Sequence, residues 1–158
     1  MSEIVFVPSP RTPLWLPYFH SLVPAGFPSP AFDHEHIRLD LNGLLLPHPD
    51  CSFLIRSFGE SMTGGDAGIK SGSLLAIDCS LTPRPNDIVI ASADGSDYTL
   101  KRLVQRRDKS WWLVPDNPSH PPIAIDAPDL FTVWGVVTHV VNETRPGKLS
   151  QHVRARGW

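Results

Sequence analysis

The chain has 158 residues and a mass of 17.5 kDa, which is enough for one domain with a sizeable hydrophobic core. Its formal net charge of −2 argues against a strongly basic nucleic-acid-binding protein, so direct sequence-specific DNA binding is not expected. The two cysteines lack CxxC spacing and no apolar run approaches the roughly 20 residues of a membrane span, so we expect no zinc site, no cofactor and no membrane insertion.

The first 32 residues are predicted to form an extended N-terminal arm with little helix. Proline fixes φ and biases the preceding residue toward extended backbone, and seven prolines occur here: Pro8, Pro10, Pro13, Pro17, Pro24, Pro28 and Pro30. The arm also carries many large apolar side chains, which predicts that it docks on its own body or on a partner. Because Met1 to Val7 is too short for a signal peptide, we expect a cytoplasmic protein.

The bond between Ala25 and Gly26 in this arm is a plausible cleavage site. Gly26 lets the chain approach a nucleophile closely, and Val23 and Ala25 would project to one side of an extended segment that could bind by strand addition. A flexible loop that happens to contain two small residues is the alternative interpretation.

Residues 33 to 142 are predicted to form a mostly β, barrel-like domain. Short apolar runs alternate with turn residues such as Gly64–Gly68 and Asp94-Gly95, which is typical of strands joined by hairpins. The run from His36 to Leu46 fits a strand or a short helix. The predicted strands are Ser52–Phe58, Ser73–Asp78, Asp87–Ala93, Tyr98–Val104, Trp111–Val114 and Phe131–Val141. The tail over residues 143–158 has no apolar period and is predicted to be disordered.

Ser61 and Lys101 are the candidate catalytic residues. A serine hydroxyl needs a base to remove its proton, and a lysine can be that base when burial keeps it neutral. Lys101 shares a strand face with Thr99 and Leu103 and could therefore point toward the core. Periodicity alone favours a surface lysine on an edge strand, and Ser61 alone is one turn serine among many.

Several stretches together resemble the UmuD branch of the LexA-like self-cleaving peptidases. The similarity runs from about Leu14 to Val141, and its many ordered matches make it specific. The matching stretches are Ala25 to Ala31, Leu39 to Asn42, Gly59 to Met62, Leu74 to Asp78, Asp87 to Ala91, Leu100 to Leu103 and Trp134 to Val141.

The resemblance implies a β-rich fold shared with signal peptidases, and a homodimer. It implies that Ser61 is the nucleophile, Lys101 the general base and Ala25–Gly26 the scissile bond. A RecA filament on single-stranded DNA would act as co-protease in the SOS response. The shortened form would then join a UmuC-type Y-family polymerase for error-prone translesion synthesis.

Two departures from the family leave a second interpretation open. Ser71-Gly72-Ser73 stands where the family usually has Asp-Gly-Asp, and Pro24 directly precedes the scissile residue. The alternative is an uncleaved, non-enzymatic dimeric regulator or competitor of the same fold. A transcriptional repressor is disfavoured, because the 25 residues before the bond cannot hold a helix-turn-helix domain.

Overall fold

The structure is a computed structural model that describes residues 12–18 and 37–145. The chain divides into two compact units, Met1–Asp50 and Cys51–Trp158. Most of the predicted arm, including Ala25 and Gly26, lies outside the described residues, as does the predicted tail from residue 146 onward.

The first unit contains a two-stranded antiparallel sheet and one helical turn. Strand β1, Trp15–Tyr18, pairs with β2, Ile37–Asp40, and helix α1 follows at Leu41–Leu45. The side chain of Asp40 caps this helix by accepting hydrogen bonds from the backbone N–H groups of Asn42 and Gly43, both at 3.2 Å. The sequence alternative over His36 to Leu46 is therefore resolved as a strand followed by a short helix.

The second unit is built on one seven-stranded antiparallel sheet, which confirms the predicted mostly β fold. A short 3-10 helix over Pro49–Cys51 leads into it. The strand order is β3-β4-β9-β5-β6-β7-β8. The strands are β3 Ser52–Arg56, β4 Leu74–Asp78, β5 Ile88–Ser92, β6 Thr99–Gln105, β7 Trp111–Val114, β8 Ile123–Ala124 and β9 Thr132–Val141.

The core consists of two apolar clusters, and side chains that alternate along a strand contribute to one or the other. Neighbouring residues Ile88 and Val89 belong to different clusters, because successive side chains of a strand point to opposite faces. The first cluster also contains Met62 and Ile69, which come from the loop between β3 and β4 and are each 3% exposed. That loop is therefore anchored in the core at two points.

No helix in the part of the chain that the structure describes is long and apolar enough to cross a membrane.

Candidate active site

Ser61 lies on the loop over residues 57–73 that joins β3 to β4, here called the serine loop. Its two ends are joined by backbone hydrogen bonds. The N–H of Ser57 donates to the carbonyl of Ser73 at 2.8 Å, and the N–H of Gly72 donates to the carbonyl of Ser57 at 2.9 Å. The neighbour of Ser61, Met62, is buried in the core. The half-buried Ser61 is therefore held in place by closed loop ends and a buried side chain beside it.

The stretch Ser71-Gly72-Ser73, which departs from the family pattern, forms a hydrogen-bonded turn. Its hydroxyl oxygens accept hydrogen bonds, that of Ser71 from the backbone N–H of Gly59 at 3.3 Å and that of Ser73 from the backbone N–H of Lys70 at 2.9 Å. The Ser73 hydroxyl also donates to the side-chain oxygen of Asn142 at the end of β9. Gly72 has a φ of 90°, a left-handed conformation that favours glycine.

Lys101 is buried, with 7% of the residue exposed. Its strand β6 lies between β5 and β7, so the interpretation of Lys101 as a surface residue on an edge strand is wrong. The amine Nζ lies 3.0 Å from the Ser61 Oγ, 2.9 Å from the Thr99 Oγ1 and 3.1 Å from the carbonyl oxygen of Leu100. The structure thus brings the two predicted catalytic residues into direct contact.

Burial lowers the pKa of Lys101, because the charged ammonium loses its hydration. The three groups that face the amine are hydroxyls and a carbonyl, which carry no charge. The carbonyl of Leu100 can only accept a hydrogen bond, and the Thr99 hydroxyl can accept a second one. A neutral amine has two N–H donors for these acceptors, which leaves its lone pair for the Ser61 hydroxyl. This geometry suits removal of the Ser61 proton by Lys101.

A second polar group lies beside Ser61, in the segment that follows β7. The backbone N–H of Asn117 donates to the carbonyl of Ser61 at 3.1 Å. Its side-chain amide donates to the carbonyl of Glu60 at 2.9 Å and to the Thr63 hydroxyl at 3.2 Å. Asn117 therefore contacts three of the four residues in the turn that carries Ser61.

The sequence prediction did not include Thr99 or Asn117 as site residues. Thr99 could have been found, because strand alternation places it on the same face as Lys101. Asn117 lies 56 positions after Ser61 along the chain, and no local pattern indicates its contact with that turn. Ala25 and Gly26 lie outside the described residues, so their place relative to Ser61 stays a prediction. Within residues 12–18 and 37–145, no cluster of three His, Cys, Asp or Glu side chains is suited to a metal ion.

Comparison with known proteins places these residues in a family context. The sequence pattern of the Peptidase S24-like family matches residues 17–138. The chain is 40% identical to Protein ImpA of Salmonella typhimurium over 129 residues, which cover 82% of this chain and 85% of ImpA. It is 38% identical to Protein MucA of Escherichia coli, over 81% of this chain and 85% of MucA. It is also 34% identical to the LexA repressor of Acidovorax sp., over 77% of this chain and 52% of the repressor.

Proposed function

Because the chain belongs to the Peptidase S24-like family, in its UmuD-like branch, we propose that it is a serine peptidase whose substrate is its own N-terminal arm. The observation that carries the proposal is the 3.0 Å contact between the Lys101 Nζ and the Ser61 Oγ, at a buried lysine whose pKa is lowered by that burial. Among the described residues no carboxylate pairs with this amine, so burial costs the charged lysine its hydration without an ion pair in return.

In the first step of the proposed reaction, neutral Lys101 takes the proton of the Ser61 hydroxyl. The Ser61 oxygen attacks the carbonyl carbon of Ala25 at the same time. The protonated amine then gives this proton to the nitrogen of Gly26, and the Ala25–Gly26 bond breaks. The product is an ester between Ser61 and the arm, together with a body that has a new amino terminus. A water molecule, activated by Lys101 in the same way, hydrolyses the ester and restores both residues.

The resemblance and the family support a proposal for the biological setting. We propose that a RecA filament on single-stranded DNA stimulates cleavage by favouring the docked arm, rather than by supplying catalytic groups. The processed homodimer would act in the cytoplasm as accessory subunit of an error-prone UmuC-type polymerase during SOS mutagenesis. The similarity to ImpA and MucA, at 40% and 38% identity over 85% of each relative's length, supports this choice.

Incubation of the purified full chain across pH 7 to 10.5, with and without RecA filament on single-stranded DNA, tests the proposal by mass spectrometry. We expect slow cleavage at alkaline pH without the filament, and faster cleavage at neutral pH with it. The Ser61→Ala variant is the control and should stay intact in both. A wild-type chain that stays intact under every condition would overturn the peptidase function and favour the non-enzymatic dimeric regulator.

A further inference from the structure

Asn117 makes three hydrogen bonds to the turn over residues 60–63. Two hydrogen bonds lie within the turn. The backbone N–H of Thr63 donates to the carbonyl of Glu60 at 3.2 Å, and the Thr63 hydroxyl donates to the same carbonyl at 2.9 Å. Asn117 adds donors to Glu60, Ser61 and Thr63 from outside the loop. Through its backbone N–H and its side-chain amide, Asn117 therefore links the segment after β7 to the turn that carries the nucleophile.

Asp116, which directly precedes Asn117, is held in place by Arg102, which directly follows Lys101. The guanidinium of Arg102 donates to both carboxylate oxygens of Asp116, through Nε at 2.7 Å and through Nη2 at 2.8 Å. The same guanidinium donates to Asp66 in the serine loop at 2.8 Å and to the carbonyl of Asn86 at 2.9 Å. A bidentate arginine–carboxylate pair of this kind is rigid, and Asp116 is nearly buried.

The serine loop approaches Asp116 closely because residue 65 is a glycine. A Cβ atom built at Gly65 would lie 2.1 Å from the Asp116 Oδ2 and 2.7 Å from its Cβ. The serine loop, the segment after β7 and strand β6 are thus packed together with no room for a larger residue at this point.

We propose that Asn117 is a positioning residue that holds the Ser61 turn against Lys101, and that the Arg102–Asp116 pair fixes the place of Asn117. The role rests on the proposed function, since it concerns the geometry of the same dyad. Asn117 does not touch the reacting atoms through its side chain. It sets the distance between the Ser61 oxygen and the Lys101 amine, and a misplacement of about 1 Å in such a pair can reduce the rate about a hundredfold.

The test replaces Asn117 by leucine, whose side chain has the same branching and the same number of heavy atoms but cannot donate a hydrogen bond and adds no charge. The variant therefore loses the two side-chain bonds to Glu60 and Thr63 and keeps the backbone bond to the Ser61 carbonyl. The matched control is Asn142→Leu, because the side chain of Asn142 makes hydrogen bonds to the other end of the serine loop. It donates to the carbonyl of Gly68 at 2.9 Å and accepts from the Ser73 hydroxyl. Should a leucine variant fail to fold, Asn117→Ala and Asn142→Ala form the second pair. Thermal unfolding of each variant shows which of them are folded.

Two readouts separate positioning from general destabilisation. The first is the cleavage rate at the alkaline plateau, which we expect to fall about 10- to 100-fold in Asn117→Leu and less than about threefold in Asn142→Leu. The second is the pKa of Lys101, measured by NMR titration of the full chain with labelled lysine and assigned with the Lys101→Arg variant. When the Ser61 turn moves away, water reaches the amine, so this pKa should rise toward its ordinary value in Asn117→Leu alone.

The inference is overturned if the Lys101 pKa and the plateau rate of folded Asn117→Leu match those of the wild type, or if both asparagine variants change equally. Failure of the proposed function looks different. In that case the wild type does not cleave at any pH, and the Lys101 titration still decides whether Asn117 holds the turn over the amine.

Discussion

The Lys101 Nζ lies 3.0 Å from the Ser61 Oγ, although the two residues are 40 positions apart along the chain. They come from different kinds of structure, since Lys101 is on an interior strand and Ser61 is on a loop anchored through Met62. The pair is therefore a property of the packed sheet and loop together.

Replacement of either residue should abolish self-cleavage. We expect Ser61→Ala and Lys101→Arg to reduce the rate by at least about a thousandfold, because an arginine keeps its charge and cannot accept the serine proton. The double variant should be about as slow as either single one, since the residues act as a unit. The measurement is the fraction of cleaved chain over time at alkaline pH, with thermal unfolding as control for the fold. Near wild-type cleavage by folded Lys101→Arg would contradict the dyad.

The rate of self-cleavage should rise with pH as Lys101 loses its proton. Burial lowers the pKa of this lysine, so the midpoint should lie below the roughly 10.4 of a free lysine. The measurement is the pH–rate profile of the purified chain without RecA filament. A profile that stays flat from neutral to alkaline pH, with the chemical step shown to limit the rate, would count against a lysine base.

Lys101 should also make the stability of the fold depend on pH. Between the lowered pKa of the folded protein and about 10.4, the unfolded chain binds the lysine proton and the folded chain does not. The free energy of unfolding of the wild type should therefore rise with pH in this window relative to Lys101→Met, by about 1.4 kcal/mol for each unit of pKa difference. Denaturant unfolding of both proteins from pH 7 to 11 measures this. A difference that is independent of pH would show that the pKa of Lys101 is not lowered by folding.

The strands could be predicted because their signal is local. Strand β7 spans Trp111–Val114, as predicted. Strands β4 and β5 each begin and end within one residue of their predicted bounds. Strand β8 was missed because two residues, Ile123 and Ala124, cannot show alternation. Local patterns thus indicate where strands lie but not how they are ordered in the sheet.

The burial of Lys101 could not be predicted from its strand alone. The pattern of β6 allows the lysine on either an edge or an interior strand, and only the pairing of β6 with both β5 and β7 decides between them. The resemblance to a family supplied the pair with Ser61, but it did not indicate the contacts of Asn117. Those contacts depend on how the segment after β7 packs against a loop far away in the sequence.

Gly65 should tolerate alanine poorly. The added Cβ would overlap the side chain of Asp116, which Arg102 holds in place, so either the serine loop or the ion pair must shift. We expect a loss of about 1–3 kcal/mol in the free energy of unfolding and a slower cleavage rate for the folded fraction. Gly64→Ala is the matched control: its φ of 87° disfavours alanine, but no atom of the described residues, its chain neighbours apart, lies within 4 Å of the added Cβ. Equal cleavage rates for the two folded variants would show that the contact with Asp116 does not hold the loop.

The proposed cleavage falls between Ala25 and Gly26 and should leave a body that begins at Gly26. For this cleavage the small side chain of Ala25 would have to fit beside Ser61, and Gly26 would have to let the carbonyl come within reach of the serine oxygen. We expect Gly26→Asp to block the reaction without unfolding the second unit. The change adds volume, and it places a negative charge beside an amine that must lose its own charge, which raises the pKa of Lys101.

Gly26→Asn, with a similar volume and no charge, separates the two effects, because only a steric block should persist at the alkaline plateau. N-terminal sequencing of the processed chain is the measurement: a body that begins at another residue would refute the assigned bond, and efficient cleavage of Gly26→Asp would refute the steric argument.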